Sequence, residues 1–247
     1  RNIFRRLKVA NLKLKLPKCC FGADQLPFLG RITSREGLKP DPKKIEAIRR
    51  LRQPGSKKQV RSLLGLALYY RQFVPGFASM ASPLYQLLKK DAPRTIQWTE
   101  DCEWSFQTLE DSLTSAPTLA FPDWSEMMVI ETDARSTGLG AVLLQETDLG
   151  RQPIAYASRS CSPQEKNYSA TVIECLGVFF AFKTFRCYVI GSRFRLVTDH
   201  QALKNLKLVK NPSGRVARWL MILLEYDFEL VYRSGKLNTT ADCLSRL

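Results

Sequence analysis

The most constraining feature of this sequence is an apolar run that ends on a carboxylate, residues 127–133 (MMVIETD). Its apolar and β-branched residues predict a buried strand. A turn containing Gly138 and Gly140 leads into a second apolar run. The two runs and the turn together predict a β-hairpin. Asp133 then stands where the first strand stops being covered. Because a buried carboxylate is costly without a partner, Asp133 is either a cap of the turn or part of a site.

The charge of the chain is high and unevenly distributed. The formal net charge of the 247 residues is +15. Residues 1–61 contain 18 Lys and Arg against 4 Asp and Glu, whereas residues 125–247 contain 16 against 12. A basic surface of this extent favours a polyanion such as nucleic acid. A membrane surface is the weaker alternative, because no basic helical pattern has one broad apolar face.

The cysteines and the apolar runs limit the cellular environments in which this protein is expected. The seven cysteines form no CxxC pair, which argues against zinc and favours reduced thiols in an intracellular protein. No apolar run reaches membrane-spanning length and no signal peptide is visible, so we expect no membrane partner. The chain starts without Met, on a basic helical pattern, and its last residues still look helical. We therefore expect it to be a piece of a longer protein.

The first half of the chain predicts small elements. A helical pattern over residues 1–12 is followed by an alternating run, residues 12–16, that suits an edge strand, and residues 26–33 suit a strand pair. Three short helices with caps and breakers come next, from Asp41 to about Leu51, from the capping box 56–59 through Tyr70, and around residues 84–88. Their lysine-rich outer face is either a solvated surface or a nucleic-acid contact, and we favour the contact.

The second half predicts a sheet flanked by helices. A further helix over residues 103–113 precedes a domain boundary near residue 120. Two hairpin strands and a third strand, residues 153–158, are followed by a long helix opened by Pro163, and then by strand–helix alternation. The later elements are a strand over 194–198, helices from 201 and 215, a strand over 227–233 and a last helix. This order predicts an α/β fold with a mixed five-stranded sheet and helices on its faces.

Four carboxylates meet if this sheet forms. Asp133 and Asp199 end two strands that are parallel neighbours when the long helix is their crossover, so both side chains emerge at one edge. Glu174 lies half-buried on the crossover helix, and Asp242 lies on the last helix. Four such acids repel one another, so either one is protonated near neutral pH or a cation is present. Mg²⁺ suits an all-oxygen site that is open to phosphate, and two ions can hydrolyse a phosphodiester.

Several motifs carry a resemblance to one family. Four segments resemble the ribonuclease H domain of Gypsy-like LTR retrotransposon polyproteins: residues 130–134 (IETDA), 153–159 (PIAYASR), 198–200 (TDH) and 241–246 (ADCLSR). Segments of the first half resemble the end of the polymerase palm, the thumb and the connecting segment of the same proteins: residues 28–30 (FLG), 37–43 (GLKPDPK), 69–73 (YYRQF) and 113–117 (LTSAP).

The resemblance implies a domain plan and a set of partners. The plan is a palm remnant with a primer-grip-like segment (1–38), a helical thumb-like domain (39–95), a connecting segment (96–124) and a ribonuclease H-like domain (125–247). The implied partners are an RNA–DNA hybrid, primer–template nucleic acid and the rest of the Pol polyprotein, with polymerase fingers and palm; whether an integrase belongs to it is left open. The implied location is inside the cell, in a cytoplasmic particle or the nucleus. Since no Tyr-x-Asp-Asp strand is present, we expect no DNA synthesis by this fragment alone.

The resemblance also implies an activity and its residues. It implies endonucleolytic hydrolysis of the RNA strand of hybrids, with two Mg²⁺ ions, or Mn²⁺, held by Asp133, Glu174, Asp199 and Asp242. It further implies nucleic-acid contacts, which we assign to Phe28, Leu29, Gly30, Lys57, Lys58, Arg61, Tyr70, Arg71, Arg135, Arg215, Arg218 and Arg233.

Some residues depart from the family pattern and leave alternatives open. Arg135 occupies a position that is usually small or acidic, so it either helps phosphate binding or disturbs the metal ions. His200 follows Asp199 as a structural hydrogen-bonding group or a general base. A non-catalytic, hybrid-binding module of the connection type is the main competing function, and a decayed copy that never folds is another. Retention of all four acids favours the nuclease.

Overall fold

The computed structural model describes residues 2–148, 150–199 and 214–233. Its first half contains one small antiparallel sheet and five helices within those residues. The strands are β1 (Gln25–Phe28), β2 (Arg31–Ser34) and β3 (Gly37–Pro40), and the helices are α1 (Asn2–Val9), α2 (Pro42–Arg49), α3 (Lys57–Tyr69), α4 (Phe77–Gln86) and α5 (Glu100–Thr114). None of the described helices is long and apolar enough to cross a membrane.

The predicted strand pair is confirmed, but the predicted edge strand is wrong. Residues 26–33 form the β1–β2 hairpin, and β3, which sequence reasoning missed, pairs with β2. Residues 12–16 form no strand, and a 3-10 turn begins at Leu16. Leu12, Leu14 and Leu16 are exposed. Alternation alone does not make a strand, because a strand also needs a neighbour for its backbone hydrogen bonds.

Local capping signals place the helices of the first half. The Asp41 carboxylate accepts a hydrogen bond from the backbone N–H of Lys43, and the Ser56 hydroxyl accepts one from that of Gln59. Both predicted helix starts are therefore confirmed. The apolar faces of α2 to α5 share one core, whose fully buried members include Ile48, Leu64, Phe73, Leu84 and Leu109.

The second half confirms the predicted α/β fold. Its strands are β4 (Met127–Ala134), β5 (Gly138–Thr147), β6 (Gly150–Ser160), β7 (Phe194–Thr198) and β8 (Phe228–Tyr232), and its described helices are α6 (Ala170–Val189) and α7 (Gly214–Leu223). The sheet order is β6-β5-β4-β7-β8. The pairs among β4, β5 and β6 are antiparallel, whereas β7 is parallel to both β4 and β8. This is a mixed five-stranded sheet with flanking helices.

The crossover helix begins later than predicted. Pro163 does not open α6; a 3-10 turn covers Glu165–Asn167, and Tyr168 is extended (φ −75°, ψ 148°) before α6 starts at Ala170. Short-range bonds fix the segment before α6: the Arg159 guanidinium donates to both carboxylate oxygens of Glu165, at 2.8 and 2.9 Å, and the Ser162 N–H donates to the same carboxylate. The Arg159–Glu165 pair holds the segment against β6.

Close packing sets how α6 meets the sheet. Phe182 and Phe185 of α6 are buried in the same core as Ile130 of β4 and Phe194 of β7. Gly177 faces Ala134, and a Cβ added at Gly177 would lie 2.8 Å from the Ala134 Cβ. Any larger residue would therefore push α6 away from β4.

Backbone contacts join the two halves of the chain. Leu38 of β3 forms an isolated antiparallel bridge with Leu119. The Ala120 N–H donates to the Pro153 carbonyl at 2.8 Å, and the Ala78 N–H of α4 donates to the Ser158 hydroxyl of β6 at 2.9 Å. The helical half is thus attached along β6.

Candidate metal and nucleic-acid site

Three structural elements bring three of the predicted acids together. Because β4 and β7 run parallel, with Glu131 paired to Val197, their ends carry Asp133 and Asp199 to the same edge of the sheet. The first half of α6 brings Glu174 over this edge. One carboxylate oxygen from each of the three acids lies within 4.8 Å of the others.

Burial gives this cluster its unusual electrostatics. Asp133 and Glu174 are only 7% and 8% exposed, so Glu174 is more buried than the half-buried position that we predicted. Burial, together with the charges of Asp133 and Asp199, raises the pKa of Glu174 to about 8, and Arg135 opposes the rise. The cluster therefore favours a bound proton or a bound cation over the free anion.

The side chains present fit a divalent metal ion. Within the described part of the chain, Oε2 of Glu174 is buried and has no hydrogen-bond partner. A buried carboxylate oxygen without a hydrogen-bond donor is unfavourable, and a bound cation would supply the missing interaction. The donor set consists only of carboxylate oxygens, which Mg²⁺ and Mn²⁺ prefer. Asp242, the fourth predicted ligand, and His200 lie outside the described residues, so both assignments stay predictions.

Most of the predicted nucleic-acid contacts lie at the surface. Phe28 and Leu29, at the tip of the β1–β2 hairpin, are 61% and 71% exposed. The Lys57 ammonium donates to the Ala92 carbonyl at 3.0 Å, and the Arg215 guanidinium lies 4.5 Å from the centre of the Tyr168 ring. Arg215 is exposed, as are the predicted contacts Lys58, Arg61, Arg71 and Arg218.

Two further predicted contacts, Tyr70 and Arg233, bond to groups inside the protein. Tyr70 is 1% exposed, and its hydroxyl donates to the Gly30 carbonyl at 2.7 Å, so it supports the hairpin from within. The Arg233 guanidinium donates to Glu131 at 2.9 Å, and Arg151 donates to the same oxygen at 2.6 Å.

Sequence reasoning missed two residues near the site, one on β4 and one on α6. Glu131 is buried on β4 two positions before Asp133 and is neutralised by two arginines, as a buried charge requires. Its signal was the second acid in an apolar strand. Gly177 is the residue that allows α6 to approach β4, and its signal was a glycine inside an apolar helical pattern.

Comparison with known families decides what this arrangement is. The family model described as the RNase H-like domain found in reverse transcriptase matches residues 123–226. Those residues belong to the RNase H-like domain family of reverse transcriptases. The matched residues therefore contain β4 to β7 and α6, with the three clustered acids.

Curated relatives extend the similarity over the whole chain. The Pol polyprotein of transposon 297 from Drosophila melanogaster is 40% identical over 245 residues, which are 99% of this chain and 23% of the relative. That of transposon 412 from the same organism is 36% identical over 99% of this chain and 20% of the relative. The Tf2-3 polyprotein of Schizosaccharomyces pombe is 34% identical over 100% of this chain and 19% of the relative. The chain is homologous to LTR-retrotransposon Pol polyproteins and spans about a fifth of their length.

Solved structures show the same fold. The foamy viral protease-reverse transcriptase in complex with an RNA/DNA hybrid matches with a TM-score of 0.79 at 22% identity, covering 95% of this chain and 32% of that one. The same enzyme in complex with dsDNA also matches with a TM-score of 0.79, covering 95% of this chain and 50% of that one. The likeness extends through the helical half and the RNase H-like domain.

Proposed function

We propose that this chain is the ribonuclease H part of a retrotransposon reverse transcriptase and hydrolyses the RNA strand of RNA–DNA hybrids with divalent metal ions. The observation that carries the proposal is the convergence of Asp133, Glu174 and Asp199, whose oxygens lie within 4.8 Å of one another. Membership of residues 123–226 in the RNase H-like family supports it.

Each acid has a stated role in this proposal. Asp133, Glu174 and Asp199 would hold two Mg²⁺ or Mn²⁺ ions, with Asp242 as the fourth ligand. When bound, the ions activate a water molecule and stabilise the leaving oxygen of a phosphodiester. The protein's own contribution is placement and burial. The buried carboxylates of Asp133 and Glu174 attract cations more strongly than exposed ones would, and Glu174 must lose its proton to act as a ligand.

We also propose that the basic first half binds the hybrid and places it over the acids. The exposed lysines and arginines of α3 and the exposed tip of the β1–β2 hairpin supply charge and apolar contact. The foamy viral enzyme, which shares this fold, has been solved with an RNA/DNA hybrid. We assign RNA-directed DNA synthesis to the longer polyprotein, which we place inside the cell.

The decisive experiment is cleavage of an end-labelled RNA–DNA hybrid by the purified chain in Mg²⁺. We expect cutting of the RNA strand, and we expect Asp133→Asn to reduce the rate by at least about a thousandfold, since it removes a metal ligand. Asp91→Asn, at an exposed turn, is the matched control and should cut like the wild type.

Two results would contradict the proposal. One is a hybrid that stays intact with the wild type, and the other is equal cutting by Asp133→Asn. Tight hybrid binding without cleavage would instead favour the non-catalytic module of the connection type.

A further inference from the structure

Arg135 directly follows β4, and its side chain reaches the acid cluster. Its Nε lies 3.7 Å from Oδ2 of Asp133, and its side chain is 39% exposed. The backbone beneath it is fixed by a tight turn. The Arg135 N–H donates to the Gly138 carbonyl at 2.9 Å, the Gly138 N–H donates back at 3.2 Å, and the Cys161 thiol donates to the Arg135 carbonyl at 3.4 Å. The turn therefore fixes the Arg135 backbone beside the acids, and from there the guanidinium reaches Asp133.

The position of this cation matters because its charge has the same sign as a metal ion. A guanidinium 3.7 Å from a ligand oxygen lowers the negative potential that draws a divalent ion to the cluster, and a bound ion would repel it at short range. Other arginines of the same sheet have other partners. Arg151 and Arg233 bind Glu131, and Arg195 binds Glu146.

We propose that Arg135 is an internal counter-cation that competes with divalent metal ions for the Asp133–Glu174–Asp199 cluster. It stabilises the metal-free protein and raises the metal concentration at which the site fills. This inference rests on the proposed function only in taking the acid cluster as the metal site. Of the two roles that the sequence left open for Arg135, phosphate binding and disturbance of the metal ions, it selects the second.

The test is calorimetric titration of the intact, metal-free chain with MgCl₂ and MnCl₂. Arg135→Gln removes the charge and keeps much of the side-chain volume. We expect it to bind both ions about two- to fivefold more tightly, the upper part of the range for a partly exposed ion pair. We expect its melting temperature to fall without metal and to recover when MgCl₂ is added. Arg135→Lys keeps the charge and should bind metal within about twofold of the wild type.

A matched control and a ligand variant make the result decisive. Arg186→Gln removes an exposed arginine of α6 that lies about three helical turns after Glu174. It should leave the affinity for metal unchanged. Equal or weaker metal binding by Arg135→Gln, or Arg135→Lys behaving like Arg135→Gln, would overturn the inference. Glu174→Gln separates the two proposals. If it does not weaken metal binding, the proposed function fails, whereas if it does and Arg135→Gln changes nothing, only the role of Arg135 fails.

Discussion

Two buried glutamates of the RNase H-like domain illustrate opposite ways of keeping a carboxylate inside a protein. Glu131 is stabilised by ion pairs with Arg151 and Arg233 at 2.6 and 2.9 Å. Glu174 faces two further acids, and its buried Oε2 has no hydrogen-bond partner among the described residues. The first arrangement is complete within the protein. The second is complete only with a proton or a cation, which is the property that a metal site requires.

The protonation of Glu174 predicts how stability depends on pH. Its pKa rises from an ordinary 4.5 to about 8 in the folded chain. Between these values the folded state binds more protons than the unfolded state, so the free energy of unfolding of the metal-free chain should fall as pH rises. Melting in EDTA from about pH 5 to pH 9 measures this slope.

A substitution identifies the group responsible. Glu174→Gln should flatten the slope between these pH values and raise the metal-free melting temperature at the alkaline end, because the amide carries no charge. Glu126→Gln, at an exposed position, should keep the wild-type slope. An unchanged slope in Glu174→Gln would show that this carboxyl does not titrate in that window.

At the scale of elements, the contact between α6 and β4 controls the geometry of the acids. Gly177→Ala would place its Cβ 2.8 Å from that of Ala134, so α6 must shift. We expect a loss of about 1–3 kcal/mol in stability despite the better helix propensity of Ala. Hybrid cleavage should fall as well, because Glu174 moves with the helix.

A compensating substitution tests this contact directly. Ala134→Gly removes the opposing Cβ, so the double variant Gly177→Ala/Ala134→Gly should regain stability and cleavage relative to Gly177→Ala alone. A single variant that is as stable as the wild type would mean that this contact does not limit the approach of α6.

The β1–β2 hairpin tip is another element whose shape depends on distant residues. Leu29 and Gly30 are both left-handed, with φ of 47° and 68°, which is strained for Leu29. The hydroxyls of Tyr69 and Tyr70 donate to the carbonyls of these two tip residues.

Tyr70→Phe removes the hydrogen bond to Gly30, which is worth about 1 kcal/mol, so we expect hybrid binding to weaken roughly fivefold. The cleavage rate at saturating hybrid should be unchanged. Tyr85→Phe, a partly exposed tyrosine of α4, is the matched control. A lower saturating rate with unchanged affinity would contradict a role of the hairpin in binding.

For the whole molecule, net charge and the joined halves determine how it meets a nucleic acid. The charge of +15 is concentrated in residues 1–61, and the helical half is attached to β6 through Ala78 and Ala120. The basic surface and the acid cluster are therefore parts of one connected structure. Attraction to the hybrid comes mainly from the first half, and the acids lie in the second.

This division predicts a strong dependence of hybrid affinity on salt. Each phosphate contact releases counterions, so the affinity measured in EDTA should fall at least about tenfold between roughly 50 and 200 mM KCl. Lys58→Gln combined with Arg61→Gln should make the log–log slope shallower by up to about two. Arg186→Gln should not change it. Affinity that is flat across this range would contradict an electrostatic contact.

The sequence by itself determined the local features of this protein. The periodicity of residues 127–133 and the strand–helix order were sufficient for the α/β fold, and the caps at Asp41 and Ser56 located two helices of the first half. They also placed Asp133 and Asp199 at one edge, because parallel strands end together. These features can be predicted from the sequence because each depends on residues that are close together along the chain.

The tertiary structure alone decided which side chains meet. Residues 12–16 alternate like a strand but lack a partner strand. Tyr70 and Arg233 have internal partners that lie 40 and 102 positions away. Burial and charge pairing depend on such distant neighbours. Local sequence patterns do not contain these neighbours, so only the folded structure could show them.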